Sequence, residues 1–322
     1  MSSIITVAGA QMGATQKTDS RASVIERMCH LVEQAARRGA QLVVFPELCL
    51  TPFFPKWYYD TLEEADQWFE EQWPPKGVEQ VLATARRHQI LVQISYAEKT
   101  AAAHRYNTAV LATGAGQKLL KYRKVHLPGH AEYIAERPLQ HLEKRYFEVG
   151  DLGFPVARLA LPDGPTFNAG LLLCNDRRWP EAWRELGLQN VDLVMVGYNT
   201  PVAHLDVRHQ QAPHVKVLQS NIVVQASCYQ NNCFAVAVAK AGVEDGHAMF
   251  GSSIIVNPFG EIIAQSSTWD DELIVADCDL RHCMVNRDST FNFAAHRRPD
   301  QYQRITNQVG SHDPTQTLEI KH

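Results

Sequence analysis

Apolar positions along the chain alternate between two spacings, and this alternation predicts strands and helices in turn. A short apolar run at 4–8 predicts a strand, and apolar residues three and four apart between 21 and 38 predict a helix that stops at Gly39. The pattern predicts further strands at 42–45, 91–97, 107–112, 118–121, 156–161, 167–173, 193–196, 234–239, 252–256, 262–264 and 273–278, and further helices at 78–87, 179–188 and 215–229. Several neighbouring strands are joined by tight hairpins, which indicates a layered α/β fold with mixed sheets.

Two stretches depart from this pattern. Residues 122–155 are rich in His, Glu, Arg, Tyr, Pro and Gly with little periodicity, and a long irregular segment inside a compact domain is usually functional. The tail after about 281 also lacks strong apolar periodicity, and we expect it to pack on a neighbour or a partner subunit. No repeat or linker divides the chain. We therefore predict a single domain over 1–322, with about 281–322 as a C-terminal extension.

Composition and charge exclude several classes of function. The chain of 322 residues is 45% hydrophobic and 20% charged, with a net charge of -4 and only short basic clusters, so no nucleic-acid or membrane partner is expected. No apolar stretch approaches the roughly 20 residues that span a bilayer. The chain start lacks the pattern of a signal peptide, and the seven cysteines are scattered, which predicts reduced thiols and a cytoplasmic location.

Three reactive side chains come within three residues of the ends of predicted strands. Cys174 ends an apolar run and precedes charged residues, as at a strand-to-helix corner, where backbone N–H and guanidinium groups favour thiolate over thiol. Glu47 follows a buried strand and a proline, and Lys124 follows the strand at 118–121. Taken alone, each has a simpler interpretation: a structural thiol, a solvated loop acid and a surface cation.

Together, these segments resemble the motifs of the nitrilase superfamily of carbon–nitrogen hydrolases, in the family's order and at about its spacing. The motif segments are Phe45-Pro46-Glu47, Arg123-Lys124-Val125-His126-Leu127 and Leu173-Cys174-Asn175-Asp176. Longer strings resemble the N-carbamoyl-D-amino acid amidohydrolases of that superfamily, at 127–130, 140–148, 150–156, 174–181 and 197–201. The resemblance covers roughly residues 4–300 and implies a four-layer α-β-β-α sandwich that forms a homodimer or homotetramer.

The three residue types fit the chemistry that this resemblance implies. A ureido or amide carbonyl is a poor electrophile, and a free thiol is only slightly ionised at neutral pH. Glu47 is expected to take the thiol proton as general base and to return a proton to the departing nitrogen. Lys124 is expected to stabilise the oxyanion, a role typically worth about 3 kcal/mol. The backbone N–H of Asn175 is expected to be a second donor.

The resemblance also assigns roles to Glu143, His126 and His141. Glu143 matches an acid near the catalytic lysine; its alternative is a loop acid paired with its basic neighbours. His126 and His141 match histidines that line the family's pocket, either as structural hydrogen-bonding groups or in direct catalysis. A proline and a glycine separate His126 from His130, which argues against a helical metal-ligand pair. We expect neither a metal nor a cofactor.

A tandem arginine, Arg177 and Arg178, follows the cysteine and can grip a carboxylate through bidentate hydrogen bonds. The alternative is that these arginines pair with neighbouring acids and cap the following helix. Asn199 and Thr200 follow another predicted strand and would add neutral donors to the same carboxylate. The arginine pair therefore predicts a substrate that carries a carboxylate.

The leading hypothesis is hydrolysis of a small-molecule N-carbamoyl-D-amino acid to the amino acid, ammonia and carbon dioxide. An N-carbamoyl-β-alanine amidohydrolase or another aliphatic amidase is the alternative, and a non-catalytic binding subunit is a third. Between about 202 and 225 the chain departs from the family pattern, with Gln219-Ser220-Asn221 where the relative has a histidine-containing helix start. The side chain that the pocket prefers is therefore not implied by the resemblance.

Overall fold

The computed structural model describes residues 3–137, 139–162, 164–202 and 211–313. Its strands, numbered in chain order, are β1 (Ile4–Gln11), β2 (Leu42–Val44), β3 (Phe69–Glu70), β4 (Leu91–Lys99), β5 (Arg105–Ala112), β6 (Lys118–Arg123), β7 (Val156–Ala160), β8 (Thr166–Leu173), β9 (Leu193–Tyr198), β10 (Phe234–Ala239), β11 (Ala241–Glu244), β12 (His247–Phe250), β13 (Ile254–Val256), β14 (Ile262–Gln265) and β15 (Glu272–Asp279). Its α-helices are α1 (Arg21–Arg37), α2 (Leu62–Ala65), α3 (Val78–Arg87), α4 (Glu143–Tyr146), α5 (Pro180–Gly187), α6 (Pro213–Asn231), α7 (His282–Arg287), α8 (Phe293–His296) and α9 (Gln303–Asn307).

Two mixed sheets form the centre of the molecule. The first has the order β15-β1-β2-β4-β5-β6, with β3 beside β4, and the second has the order β14-β13-β10-β9-β8-β7. Strands β1, β2 and β4 run parallel, as do β8, β9 and β10, and β3 is parallel to β4. The other neighbouring strands of the two sheets are antiparallel. The remaining pair, β11 and β12, forms a separate hairpin.

The alternation of side chains along each strand explains how the layers pack. In β1, Ile5 and Val7 join the core shared with the second sheet, whereas Ala8 and Ala10 join the core under α1 and α3. Helices α5 and α6 cover the outer face of the second sheet, with Trp183 fully buried against it. The result is the four-layer α-β-β-α sandwich that the resemblance to the nitrilase superfamily implied.

The sequence pattern missed the shortest elements and the structure of the tail. The two-residue β3, the four-residue α2 and the β11–β12 hairpin are too short for a periodicity to appear. The tail contains α7, α8 and α9, and the side chains of Met284 and Ile305 are exposed. Its packing on a partner subunit stays a prediction, and 314–322 lie outside the described residues. No helix in the described ranges is long and apolar enough to cross a membrane.

Four strands end at the same side of the two packed sheets. Glu47 follows β2, Lys124 follows β6, Cys174 follows β8 and Asn199 follows β9. Parallel neighbours bring their carboxyl ends to one edge of a sheet, and the two sheets pack face to face. Side chains that are far apart in the sequence therefore meet at this edge.

Candidate active site

Asn199 joins the base and the nucleophile of the predicted mechanism. Its backbone N–H donates to Oε2 of Glu47 over 3.2 Å, and its side-chain amide donates to the Glu47 carbonyl over 2.9 Å. Its own carbonyl accepts a hydrogen bond from Sγ of Cys174 over 3.4 Å. Glu47 and Cys174 therefore lie on the two sides of one residue, and Asn199 fixes their relative position.

Lys124 lies between two carboxylates. Its Nζ donates to Oε1 of Glu47 over 2.7 Å and to Oε2 of Glu143 over 2.6 Å, and all three side chains are fully buried. Nε2 of His141 lies 2.9 Å from the other oxygen of Glu143. The ring of Phe53 packs edge-on against His141 at 5.3 Å. One buried cation is therefore shared by two acids, and His141 orients the second of them.

The surroundings separate the pKa values of the two acids. Burial raises the pKa of Glu47. The positive charge of Lys124 opposes this shift, whereas the negative charge of Glu143 adds to it. Burial also acts on Glu143, but Lys124 and His141 outweigh it and lower the pKa of that carboxyl. Burial alone would lower the pKa of Lys124, yet the negative charges around it raise that pKa. Glu143 thus neutralises Lys124, whereas Glu47 is the acid suited to accept a proton.

Cys174 is held in a strained corner between β8 and a short 3-10 helix. Its φ of 44° lies in the left-handed region, which non-glycine residues adopt rarely and mostly at functional sites. Burial, with the Glu47 carboxylate second, raises the pKa of its thiol to about 11 against the charges of Lys124 and Arg177. Lys124 and Arg177 favour the thiolate, in the direction that the sequence indicated for neighbouring cations, but burial outweighs them. The thiol keeps its proton, and attack on a substrate requires a base.

Asp176 stabilises this corner through hydrogen bonds to its carboxylate. Its buried carboxylate accepts hydrogen bonds from the Tyr122 hydroxyl over 2.7 Å, the backbone N–H of Leu173 over 3.2 Å and the backbone N–H of His126 over 2.8 Å. Nδ1 of His126 also lies 2.8 Å from the carboxylate. The side chain of Asn175 donates to the His126 carbonyl over 3.1 Å. His126 and Asn175 thus connect the lysine segment to the cysteine corner by structural hydrogen bonds.

The two arginines have different surroundings. Arg177 is 1% exposed. It donates from Nη1 to the Cys174 carbonyl over 2.6 Å, and from Nη2 to Thr200 and Ser220 over 3.1 and 3.0 Å. Arg178 is only partly exposed, and no carboxylate of the described ranges lies within ion-pair distance of it. The charge of Arg177, followed by partial burial, lowers the pKa of Arg178 to about 10, so this guanidinium stays charged at neutral pH.

This division of roles was not predicted from the sequence. Arg177 supports the cysteine corner and holds the side chain of Thr200, whereas Arg178 remains available for a ligand. Neither arginine pairs with Asp176, whose oxygens are occupied by Tyr122 and His126. The expected carboxylate grip is therefore best supported for Arg178.

Two further residues of the site were missed by sequence reasoning. Asn107 donates from Nδ2 to Oε1 of Glu47 over 2.8 Å, and its carbonyl accepts the backbone N–H of Lys124 over 2.9 Å. Gly197 on β9 faces the Glu47 segment, where a Cβ atom would lie 2.6 Å from the Glu47 nitrogen. A polar side chain inside an apolar strand was the available signal for Asn107. No local pattern indicates the close approach at Gly197.

Gly197→Ala is expected to displace Glu47 and lower kcat by at least about tenfold. The new methyl group would meet backbone atoms of Pro46 and Glu47, which cannot move independently of the loop. Overpacking of this kind typically costs about 1–3 kcal/mol of stability, and a shift of about 1 Å at a reacting group can cost about 100-fold in rate. Steady-state kinetics and thermal unfolding measure both effects. Gly310→Ala is the matched control, because a Cβ atom there meets nothing within 4 Å. Unchanged kinetics in Gly197→Ala would contradict the crowding argument.

The arrangement supplies the groups needed for attack on an amide carbonyl. It contains a buried thiol, a neighbouring carboxylate of raised pKa and a fixed ammonium group. Among the residues that the structure describes, no group of three or more His, Cys, Asp or Glu side chains could hold a metal ion. The expectation that the reaction needs no metal or cofactor stays a prediction, as do the catalytic roles themselves.

Comparison with known proteins identifies the family of this chain. The model of the carbon-nitrogen hydrolase family matches residues 6–285. A nitrilase of Pyrococcus abyssi (strain GE5 / Orsay) is 27% identical over 84% of this chain and 89% of that protein. An N-carbamoylputrescine amidase of Oryza sativa subsp. japonica is 27% identical over 93% of each chain. A carbon-nitrogen hydrolase from Helicobacter pylori G27 superposes with a TM-score of 0.79 at 25% identity, over 95% of this chain and 99% of that one. Because the family match spans far more than half of the sequence, this chain belongs to the carbon-nitrogen hydrolase family, as the resemblance to the nitrilase superfamily implied.

Proposed function

We propose that this protein hydrolyses N-carbamoyl amino acids to the free amino acid, ammonia and carbon dioxide. The observation that carries the substrate class is Arg178, a partly exposed arginine four residues after the nucleophile and without a carboxylate partner among the described residues. It can hold the substrate carboxylate by a bidentate hydrogen bond while the ureido carbonyl faces Cys174. Preference for the D enantiomer rests on the resemblance of the segments around 140–148 and 174–181.

The proposed reaction begins with proton transfer from the Cys174 thiol to Glu47. Sγ attacks the ureido carbon, and the carbonyl electron pair moves onto oxygen, where Lys124 stabilises the negative charge. The tetrahedral intermediate collapses, and ammonia leaves with the proton that Glu47 accepted. Water then cleaves the thioester-like intermediate, with Glu47 again as the base. The released N-carboxy amino acid loses carbon dioxide, so one water molecule is consumed in the complete reaction.

The positive charge of the site favours an N-carbamoyl amino acid over N-carbamoylputrescine, the compound in the name of the plant relatives. Those relatives are N-carbamoylputrescine amidases, and N-carbamoylputrescine carries an ammonium group. Two adjacent arginines beside the nucleophile would repel such a cation. N-carbamoyl-β-alanine, or another amide that carries a carboxylate, is the second candidate substrate, because its carboxylate can bind Arg178.

Arg178→Ala is expected to lower kcat/KM for N-carbamoyl amino acids about 10- to 100-fold, with a much smaller effect on neutral amides. The variant loses a hydrogen bond to a charged group, typically worth about 1.5–3 kcal/mol, and each 1.4 kcal/mol corresponds to about tenfold. Ammonia release is measured with N-carbamoyl-D- and L-alanine, N-carbamoyl-β-alanine, N-carbamoylputrescine and a neutral aliphatic amide.

Arg37→Ala, an exposed arginine on α1, serves as the matched control. Equal losses on charged and neutral substrates would assign Arg178 a structural role. If the unaltered protein released no ammonia from any compound of the panel, the enzyme proposal itself would be overturned and the non-catalytic alternative favoured.

A further inference from the structure

A buried cluster of charges lies outside the set of residues that the proposed reaction uses. It consists of Glu244 at the end of β11, Lys240 just before β11 and Lys56 in the loop at 51–56. Nζ of Lys56 lies 3.3 Å from Oε1 of Glu244, Nζ of Lys240 lies 3.1 Å from Oε2, and all three side chains are fully buried. Charged groups are costly to bury, and well-packed apolar residues can often replace a buried ion pair without loss of stability. Stability alone therefore does not explain this cluster.

Glu244 also holds two loops by their backbone. Its Oε1 accepts the N–H of Phe53 over 2.6 Å, and its Oε2 accepts the N–H of Thr15 over 3.3 Å. Each carboxylate oxygen thus has one ammonium group and one backbone N–H as donors. A neutral glutamine cannot replace this carboxylate, because its amide nitrogen would face two donors. The negative charge at 244 therefore anchors the backbone of Phe53.

The loop at 51–56 leads from this cluster to the active site. The ring of Phe53 packs edge-on against His141 at 5.3 Å, and the carbonyl of Pro55 accepts the N–H of Leu142 over 2.8 Å. These two contacts hold the residues that directly precede Glu143. The loop therefore supports the carboxylate that serves as counter-ion to the predicted oxyanion donor.

We propose that Glu244 is a positioning residue for Lys124. This inference rests on the proposed function and adds to it a residue that acts only through others. Glu244 anchors the backbone of Phe53, whose ring confines His141. His141 in turn keeps the Glu143 carboxylate against Lys124. Without the charge of Glu244 this chain of contacts loosens, and Lys124 loses a fixed counter-ion where the oxyanion develops.

The β11–β12 hairpin also has a second route to the site, through the segment that follows β9. In β12, the carbonyl of Ala248 accepts the N–H of Val202 over 2.7 Å, and Phe250 donates to the carbonyl of Thr200 over 3.2 Å. A change transmitted by this route would disturb Thr200, a predicted donor to the substrate carboxylate, and would act on carboxylate-bearing substrates alone. A change transmitted through Phe53 acts at the scissile carbonyl, so it affects neutral amides equally.

Glu244→Gln is expected to lower kcat about 10- to 100-fold on N-carbamoyl-D-alanine and on a neutral aliphatic amide alike, with KM changed far less, because a shift of about 1 Å at a reacting group can cost about 100-fold in rate. Phe53→Leu leaves the charged cluster intact but removes the ring against His141, and it is expected to lower kcat similarly. Because both changes break one link, the double variant should lose little more than either single variant. Steady-state kinetics are measured at a temperature at which thermal unfolding shows each variant to be folded.

Asp192→Asn is the matched control. Asp192 pairs with Arg287 over 2.9 Å and accepts the N–H of Asn168 over 2.8 Å, so the same charge change breaks a similar set of contacts. It lies just before β9, at the end of that strand opposite to Asn199. The control is expected to lose stability and to keep its kcat.

The outcomes separate this inference from the proposed function. An unchanged kcat in Phe53→Leu overturns the positioning role, even if Glu244→Gln does not fold. A loss confined to carboxylate-bearing substrates, or losses that multiply in the double variant, overturn it as well. If the unaltered protein hydrolyses neither compound, the proposed function fails, and the rate at which iodoacetamide alkylates Cys174 decides the positioning role. That rate depends on the charges around the thiol, so it is expected to fall about tenfold in Glu244→Gln but not in Asp192→Asn, and equal rates overturn the inference.

Discussion

Replacing Cys174 with alanine is expected to abolish amide hydrolysis while the fold remains intact. The thiol is the nucleophile of the first step of the proposed reaction, and without it the intermediate that water later cleaves does not form. Removal of a nucleophile from a comparable catalytic unit costs about 10⁶-fold in kcat, so activity should fall below detection. Only one sulfur atom is lost, and the free energy of unfolding should change by no more than about 2 kcal/mol. Ammonia release and thermal unfolding measure the two quantities.

The matched control for this variant is Cys228→Ala. Cys228 is also a fully buried thiol, but it lies on α6, and its pKa is raised by burial and by neighbouring cysteines such as Cys233. The control should lose a similar amount of stability and retain its activity. If Cys174→Ala turned over substrate at a substantial rate, the nucleophile would be misassigned, whatever the control showed.

The sequence predicted the parts of the site that depend on where strands end. Glu47, Lys124 and Cys174 each come after a predicted strand, and parallel strands bring such ends to one edge. The end of a strand can be recognised from the residues next to it, so this part of the site is visible in the sequence. The alternation indicated only a layered α/β fold with mixed sheets, and the resemblance to a family implied the four layers. The element boundaries mostly agree with the structure, because the buried strands carry long and regular apolar runs.

The sequence did not predict contacts that depend on three-dimensional packing. The approach of Gly197 to the Glu47 segment joins two residues that are 150 positions apart, and no local pattern marks it. The protonated state of Cys174 is set by burial, which outweighs the neighbouring cations that suggested a thiolate. The separate roles of Arg177 and Arg178 depend on which guanidinium is directed inward. Each of these features is a property of the assembled core and not of a segment.

Lys124→Met is expected to cause the largest combined loss of stability and activity. The variant leaves Glu47 and Glu143 buried side by side without the cation that both contact at 2.7 and 2.6 Å. Breaking a buried ion pair by removing one partner typically costs about 3–5 kcal/mol. Loss of an oxyanion donor alone typically lowers kcat about 10²- to 10³-fold. Displacement of the Glu47 and Glu143 carboxylates should lower kcat further. Kinetics and denaturant unfolding give both numbers, with Lys118→Met on exposed β6 surface as the matched control.

The stability loss in Lys124→Met should depend on pH, and its sign is set by the two acids. In the unaltered protein the pKa of Glu143 is lowered, so its contribution to stability is present at neutral pH and is lost as the pH falls. Without Lys124, burial raises the pKa of both carboxyl groups, so their contribution is greatest when they are protonated and is lost as the pH rises. The difference in unfolding free energy between the two proteins should therefore increase from about pH 5 to pH 8. A difference that stayed constant over this range would show that Lys124 is not the counter-ion of these acids.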